Sequence, residues 1–268
     1  MKVAGMSRNT PPRFFVDPSS IFGNKVILTG DVLKHAMSQR LKRGEIFHAL
    51  PEMVYDKNIV NETIELLGVR VESVNKTQLI GQVIETRQVT IPPYELHLYP
   101  AVLKGDKLDL VVEKATELGC ASITPMVAAR CIPRLDEGKK ESRIQRWMKV
   151  AKSAAEQSGR MYIPRINEIV TFREVIQNRV LGKAVLALER REMCVSISEA
   201  VGCALEVSVL IGPEGGFELY EIEEAVEAGL CPVTLGPYIL RAETASIAAC
   251  AIIMEHMSKG HMAKEYIS

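Results

Sequence analysis

The spacing of apolar positions along the chain changes near residue 91. Before it, NKVILT, IELLGVRVESV and QLIGQVIETRQV carry valine, isoleucine and threonine in partial alternation, the pattern of half-buried strands. Gly30, Gly44, Gly68 and Gly81 separate or interrupt these pieces, as turns and bulges do. The pattern predicts a small antiparallel barrel or sandwich over residues 1–90, bounded by the proline-rich IPPY at 91–94.

Beyond Tyr94 strands alternate with helices. ELHLYPAVL, ITPMVA, KAVLALE, LEVSVLIG and CPVTLG read as strands, and LEVSVLIG is apolar almost throughout, as a strand buried on both faces is. GDKLDLVVEKATELG reads as an amphipathic helix with Leu108, Val111, Ala115 and Leu118 on one face and Gly119 as its stop. ESRIQRWMKVAKSAAEQSG turns Ile144, Trp147, Met148 and Ala151 inward and a basic face outward, and FELYEIEEAVEAG turns Ile222, Val226 and Leu230 inward. TASIAACAIIMEHM is the last helix, with Ile247, Ala251, Ile252 and Met254 serving either the core or an interface. This order predicts an α/β class with a mostly parallel sheet over residues 91–268.

Composition narrows the function classes. The chain has 268 residues, 47 % of them hydrophobic, and zero formal net charge, so no global field points to nucleic acid or membrane. The local balance is uneven. Residues 130–165 hold ten Lys/Arg against four Asp/Glu, residues 8–43 hold seven against two, and Glu214 to Glu227 is an acidic run. Two basic segments fit a polyanionic partner, although each is also an ordinary solvated face. The six cysteines form no C-x-x-C and make no zinc-type pair with the five histidines, so no metal is expected and the thiols read as small buried hydrophobes. The opening MKVAGMSRNTPPRFF has no apolar signal-peptide core, and no apolar run reaches the ~18 residues of a membrane span. The expectation is a soluble, reduced, cytoplasmic protein with no membrane partner.

The chemistry concentrates in two loops. IGPEGGFE, residues 211–218, lies after a buried strand and before a helix, where open α/β sheets bind ligands. It matches neither phosphate-loop pattern. Glu214, Glu218 and Glu221 serve the helix's positive end and would repel phosphate. A ligand without phosphates, carrying positive charge, suits it better, although alone the loop is equally a tight strand–helix turn. LGPYILRAETA, residues 235–245, has the same setting. Leu235, Ile239 and Leu240 give apolar walls, and Thr244 or Glu243 caps the helix that follows. Arg241 has no obvious partner nearby in sequence. It is either one half of a salt bridge or a fixed cation facing a substrate that gains negative charge.

IGPEGGF followed by LGPYILRAETA resembles the SPOUT superfamily of S-adenosylmethionine-dependent RNA methyltransferases, and within it the bacterial 16S rRNA (uracil-N3)-methyltransferase family. The likeness extends to RFFV at Arg13–Val16, RLKRGE at Arg40–Glu45, KGDKLDLVVEKATELGCASITPM at Lys104–Met126 and RWMKVAKSAAEQSGRMYIP at Arg146–Pro164. The chain departs from the family pattern at Tyr238, where arginine is usual, at Ala129, where an acid is usual, and at Ser38-Gln39, where apolar residues are usual.

The resemblance implies a PUA-like β-barrel that binds RNA over residues 1–90. It implies a SPOUT domain with a C-terminal trefoil knot over residues 91–268, and a homodimer. It implies that S-adenosyl-L-methionine is held by Leu188, Gly212, Gly215, Gly216, Leu235, Gly236, Ile239 and Leu240, largely through backbone. It implies that Arg241 is catalytic and that N3 of a uridine in 16S rRNA is the methyl acceptor, while the zero net charge points to a structured target, the assembled small subunit, rather than naked RNA. Arg13, Arg40, Lys42 and Arg160 are the candidate RNA contacts, with Arg43, Arg143, Arg146, Lys149 and Lys152 near them. Glu243 is either a cap or a base. Methylation of another nucleoside, such as a ribose 2′-hydroxyl, and a non-catalytic RNA-binding assembly factor are the competing readings.

Overall fold

A computed structural model describes residues 11–132, 137–189 and 194–265. Part of the basic segment, residues 133–136, thus lies outside the described residues. One compact unit runs through Val54, resumes at Asn61–Ile91 and includes Glu156–Tyr162. The second comprises Tyr55–Val60, Pro92–Ala155 and the chain from Ile163. No helix among the described residues is long and apolar enough to cross a membrane.

The first unit is one six-stranded sheet. Its strands are β1 (Arg13–Val16), β2 (Ile21–Phe22), β3 (Lys25–Leu28), β4 (Ile46–Pro51), β5 (Thr63–Val74) and β6 (Leu79–Thr90), in the order β1-β4-β5-β6-β3-β2. All pairs are antiparallel except β1 with β4, a departure from the all-antiparallel expectation. The long β5–β6 hairpin bulges at Gly68/Val69. Helix α1 (Gly30–Ser38) contributes Leu33 and Ala36 to the core that Phe14, Val26, Phe47, Val69 and Leu79 form. Alternation did not signal this helix, because only two of its nine residues are buried. The buried Glu156 carboxylate accepts the Phe15 N–H at 3.0 Å and meets His35 Nδ1 at 2.9 Å.

The second unit is a three-layer α/β arrangement. Its elements are β7 (Glu95–Pro100), α2 (Lys107–Glu117), β8 (Ser122–Ile123), β9 (Met126–Val127), α3 (Glu137–Ser158, its last three residues counted with the first unit), β10 (Arg165–Ile166), β11 (Val170–Thr171), α4 (Phe172–Asn178), β12 (Lys183–Ala187), β13 (Val195–Ser196), α5 (Ile197–Val201), β14 (Glu206–Ile211), α6 (Leu219–Glu227), β15 (Cys231–Thr234) and α7 (Ala242–Glu265). The main sheet is ordered β10-β8-β7-β14-β12-β15-β13, and every pair in it is parallel. Side chains alternate across it. Tyr99, Leu186 and Leu210 join the core with α4 and α6, among them Val175 and Ala225. Helix α7 packs on β7 and β14 from the other side, beside α2 and α5. Ala249, Cys250, Ile253 and Met257 of α7 are buried, whereas Ile252 is exposed.

Two helix faces differ from expectation. Val226 is 42 % exposed and Glu221 is buried, because the Glu221 carboxylate accepts the N–H groups of Ala129 and Glu218, each at 2.9 Å, which fixes the rotation of α6. Met148 is also exposed. Its neighbour Trp147 fills the inward position and donates to Asp109 at 3.0 Å. Arg146 spends its charge on Asp106 and Asp109. Of the cysteines, Cys120 and Cys250 are buried, whereas Cys203 is exposed.

Gly182, just before β12, has φ +61°, and a Cβ there would lie 2.1 Å from the backbone oxygen of Glu206. Gly182→Ala is therefore expected to destabilise the chain by at least about 2 kcal/mol. A urea titration followed by circular dichroism checks this; an unchanged midpoint would contradict the close approach.

Candidate functional site

Strands β14, β12 and β15 lie side by side and point the same way, so the three segments leaving their C-terminal ends emerge together. These segments are 188–189, 212–218 and 235–241, and they line a cavity of about 570 Å³. That volume suits a small organic ligand, for which pockets run from roughly 300 to 1,000 Å³.

All eight residues expected to hold a ligand line this one cavity: Leu188, Gly212, Gly215, Gly216, Leu235, Gly236, Ile239 and Leu240. Arg241 lines it too. The first loop closes on itself through Gly216 N–H to Pro213 O at 2.8 Å. This turn needs φ +71° at Gly216, a conformation that glycine adopts without strain. In the second loop, Thr234 Oγ1 donates to Gly236 O at 3.2 Å and accepts from its N–H at 3.3 Å. These bonds fix the backbone turn of each loop.

The charges are arranged differently from the sequence expectation. Arg130 donates through Nε and Nη2 to the two carboxylate oxygens of Glu218 at 2.8 and 2.9 Å, and through Nη1 to Gly215 O at 2.7 Å. This holds the Glu218 carboxyl below the usual range. Lys107 Nζ lies 3.1 Å from Glu214 Oε1 and 3.6 Å from Glu243 Oε2, so one ammonium ties the first loop to the start of α7. Burial works against ionisation of Glu214, but its own backbone N–H and Lys107 outweigh it and lower the pKa. With Glu221 turned inward as well, the acids of IGPEGGFE are spent on the protein itself. The expectation of a phosphate-free, positively charged ligand therefore cannot rest on free acids in this loop.

Arg241 is exposed, and among the described residues its guanidinium has no ion pair or hydrogen bond. The salt-bridge reading of Arg241 therefore finds no partner there. Glu243 is outside the cavity lining; its Oε2 has no hydrogen-bond partner among the described residues. The sequence reading missed Lys107, Arg130 and Glu189 at the cavity. Only Glu189 had a signal, as the last residue of the strand-like KAVLALE.

The four candidate RNA contacts all belong to the first unit. Arg40 and Lys42 are exposed. The Arg160 guanidinium lies 4.4 Å from the centroid of the Tyr162 ring, a cation–π distance. Arg13 is different: it donates to Gly159 O and Arg160 O, and burial lowers its pKa. Its Nη1 is engaged inside the fold, while Nε is buried with no hydrogen-bond partner among the described residues.

Comparison with known proteins agrees with this geometry. Residues 90–254 match the model of the RNA methyltransferase domain family. The chain is 35 % identical over 190 residues to ribosomal RNA small subunit methyltransferase E of Bacillus subtilis, covering 68 % of this chain and 74 % of that protein. It is 29 % identical over 249 residues to the Mycobacterium bovis protein of the same name, covering 90 % of each. Among solved structures, a ribosomal RNA small subunit methyltransferase E from Neisseria gonorrhoeae bound to S-adenosyl methionine superposes with a TM-score of 0.78 at 25 % identity, over 92 % of this chain and 98 % of that one.

The Arg130 contacts bear on the loop more than on the fold, since exposed ion pairs add little to global stability. Arg130→Ala is expected to speed amide exchange over 212–218 by roughly tenfold while leaving the buried strand β14 unchanged. Hydrogen–deuterium exchange mass spectrometry reads this directly. Equal exchange in both proteins would show that the loop holds itself.

Proposed function

Because the chain belongs to the RNA methyltransferase family that includes ribosomal RNA small subunit methyltransferase E, we propose that it methylates N3 of one uridine in 16S rRNA. The observation that carries the reading is the cavity itself, where two glycine-bearing loops meet an arginine that has no partner among the described residues. S-adenosylmethionine supplies a methyl group on a sulfonium sulfur. The cavity fits this cofactor: Leu188, Leu235, Ile239 and Leu240 offer apolar walls, and the glycines expose backbone amides and carbonyls to a heterocycle edge.

Arg241 acts on the acceptor. Uracil N3 gives up a proton as it takes the methyl group, and negative charge spreads to the flanking carbonyl oxygens. A guanidinium beside the base stabilises that charge where it develops. Glu214 and Glu218 are ion-paired and are poor bases, so the N3 proton leaves to water or to Glu189, the remaining carboxylate of the lining.

The finer features of the reading follow the family. The first unit is taken as a PUA-like RNA-binding domain, with Arg40, Lys42 and Arg160 on phosphates, which position RNA without reading bases. The second unit is taken as a SPOUT domain whose C-terminal loops form a trefoil knot. Support for the knot is the strand order, in which β12 lies between β14 and β15 although it precedes both. A cytoplasmic homodimer is proposed, supported by exposed Leu219, Tyr238 and Ile239 at the cavity lip. Zero net charge favours a structured target, the assembled small subunit, over naked RNA.

Nucleoside mass spectrometry of 16S rRNA from cells with and without the gene tests the proposal. N3-methyluridine is expected to vanish with the gene and return on complementation. Loss of a different methylated nucleoside would keep methyl transfer and reject the target. No change in any nucleoside would reject the enzyme reading in favour of an assembly factor.

A further inference from the structure

At the opposite, N-terminal end of the parallel sheet, a second group of polar side chains converges. Glu95 and His97 are two residues apart on β7 and so share a face. Glu206 of β14 is the direct register partner of Glu95. The carboxylate oxygens of Glu95 and Glu206 and a ring nitrogen of His97 all lie within 4.8 Å of one another. None of these residues belongs to the cavity described above.

The imidazole is the telling member. His97 is fully buried, and its Nδ1 lies 2.8 Å from Ser122 Oγ. Nε2 is buried as well and has no hydrogen-bond partner among the described residues. Its nearest carboxylate oxygen, Glu206 Oε1, is 3.6 Å away, beyond hydrogen-bond length. In the tautomer that donates from Nδ1 to Ser122, Nε2 directs a lone pair at two carboxylates. Acceptors grouped in this way are satisfied by a cation, and the Lys57 ammonium already meets one of them at Glu206. A second partner on the far ring nitrogen is also how metal-bound histidines are oriented.

We infer that Glu95, His97 and Glu206 form a binding site for a divalent metal ion of the zinc class, separate from the methyl-transfer site. One imidazole nitrogen and two carboxylates are a borderline donor set that suits such an ion, and they leave a coordination position open for water. Lys57 holds the ion's place: its Nζ lies 2.8 Å from Glu206 Oε1, on a side chain that is 56 % exposed, so it can swing into solvent. Tyr55 donates its hydroxyl to Glu95 and orients that carboxylate. Cysteine and histidine spacing gave no hint of this group, because strand register rather than sequence proximity brings its members together.

Cobalt(II) titration of the full-length, chelator-stripped protein, followed by optical absorption, tests the site. One equivalent is expected to give visible ligand-field bands without the near-ultraviolet sulfur-to-cobalt band that binding to the free cysteines would produce. Glu206→Gln and His97→Gln are each expected to weaken binding by at least roughly tenfold, and Lys57→Ala to tighten it. Glu206 is partly exposed, so Glu206→Gln serves even if the buried histidine variant misfolds, which circular dichroism reports. Absence of saturable binding, a sulfur band in the wild type, or equal affinity in Glu206→Gln would overturn the inference.

Discussion

The parallel pairing of β12 between β14 and β15 is the constraint on which the site depends. Each strand ends in a segment that would be an ordinary turn by itself. Only because Ala187 pairs with both Ile211 and Val233 do Leu188, the glycines of 212–216 and the 235–241 loop face the same space. The interior of the sheet is apolar on both sides, with Val185, Leu186, Val209 and Leu210 all buried. That burial holds the strands in register, since a slip by one residue would exchange the two faces.

Ion pairs then shape the loops. Arg130 reaches the first loop at Gly215 and Glu218, and Lys107 bridges Glu214 to Glu243 at the start of α7. Both cations also line the cavity. Their effect is to neutralise acids that would otherwise repel one another beside the ligand. Arg241 then stands as the cation whose charge no described side chain takes up.

Much of this was legible from pattern alone. LEVSVLIG announced a strand buried on both faces, and its residues form β14 at the middle of the parallel sheet. The two strand–loop–helix junctions were visible through Gly-Pro turns followed by helical periodicity. What pattern did not reveal depends on contacts across long sequence distances. Arg130 meets Glu218 and Lys107 meets Glu214 from 88 and 107 residues away, so Glu214 and Glu218 read as free acids. Helix α4 was missed although Thr171 and Glu174 form a capping box, because its seven residues are too few for a clear period. Val226 was placed inward by a regular hydrophobic count, which the buried Glu221 carboxylate overrides. Arg13 read as a surface cation, since only the folded chain brings the carbonyls of Gly159 and Arg160 to its guanidinium.

The central claim is that Arg241 serves the reacting base rather than the cofactor or the fold. The most direct test is single-turnover methyl transfer by Arg241→Ala on small subunits from cells lacking the gene, with S-adenosylmethionine affinity measured in parallel by calorimetry. The account predicts a rate lower by about 10²- to 10³-fold at saturating cofactor, with affinity unchanged. A wild-type rate, or a loss explained wholly by weaker cofactor binding, would contradict it.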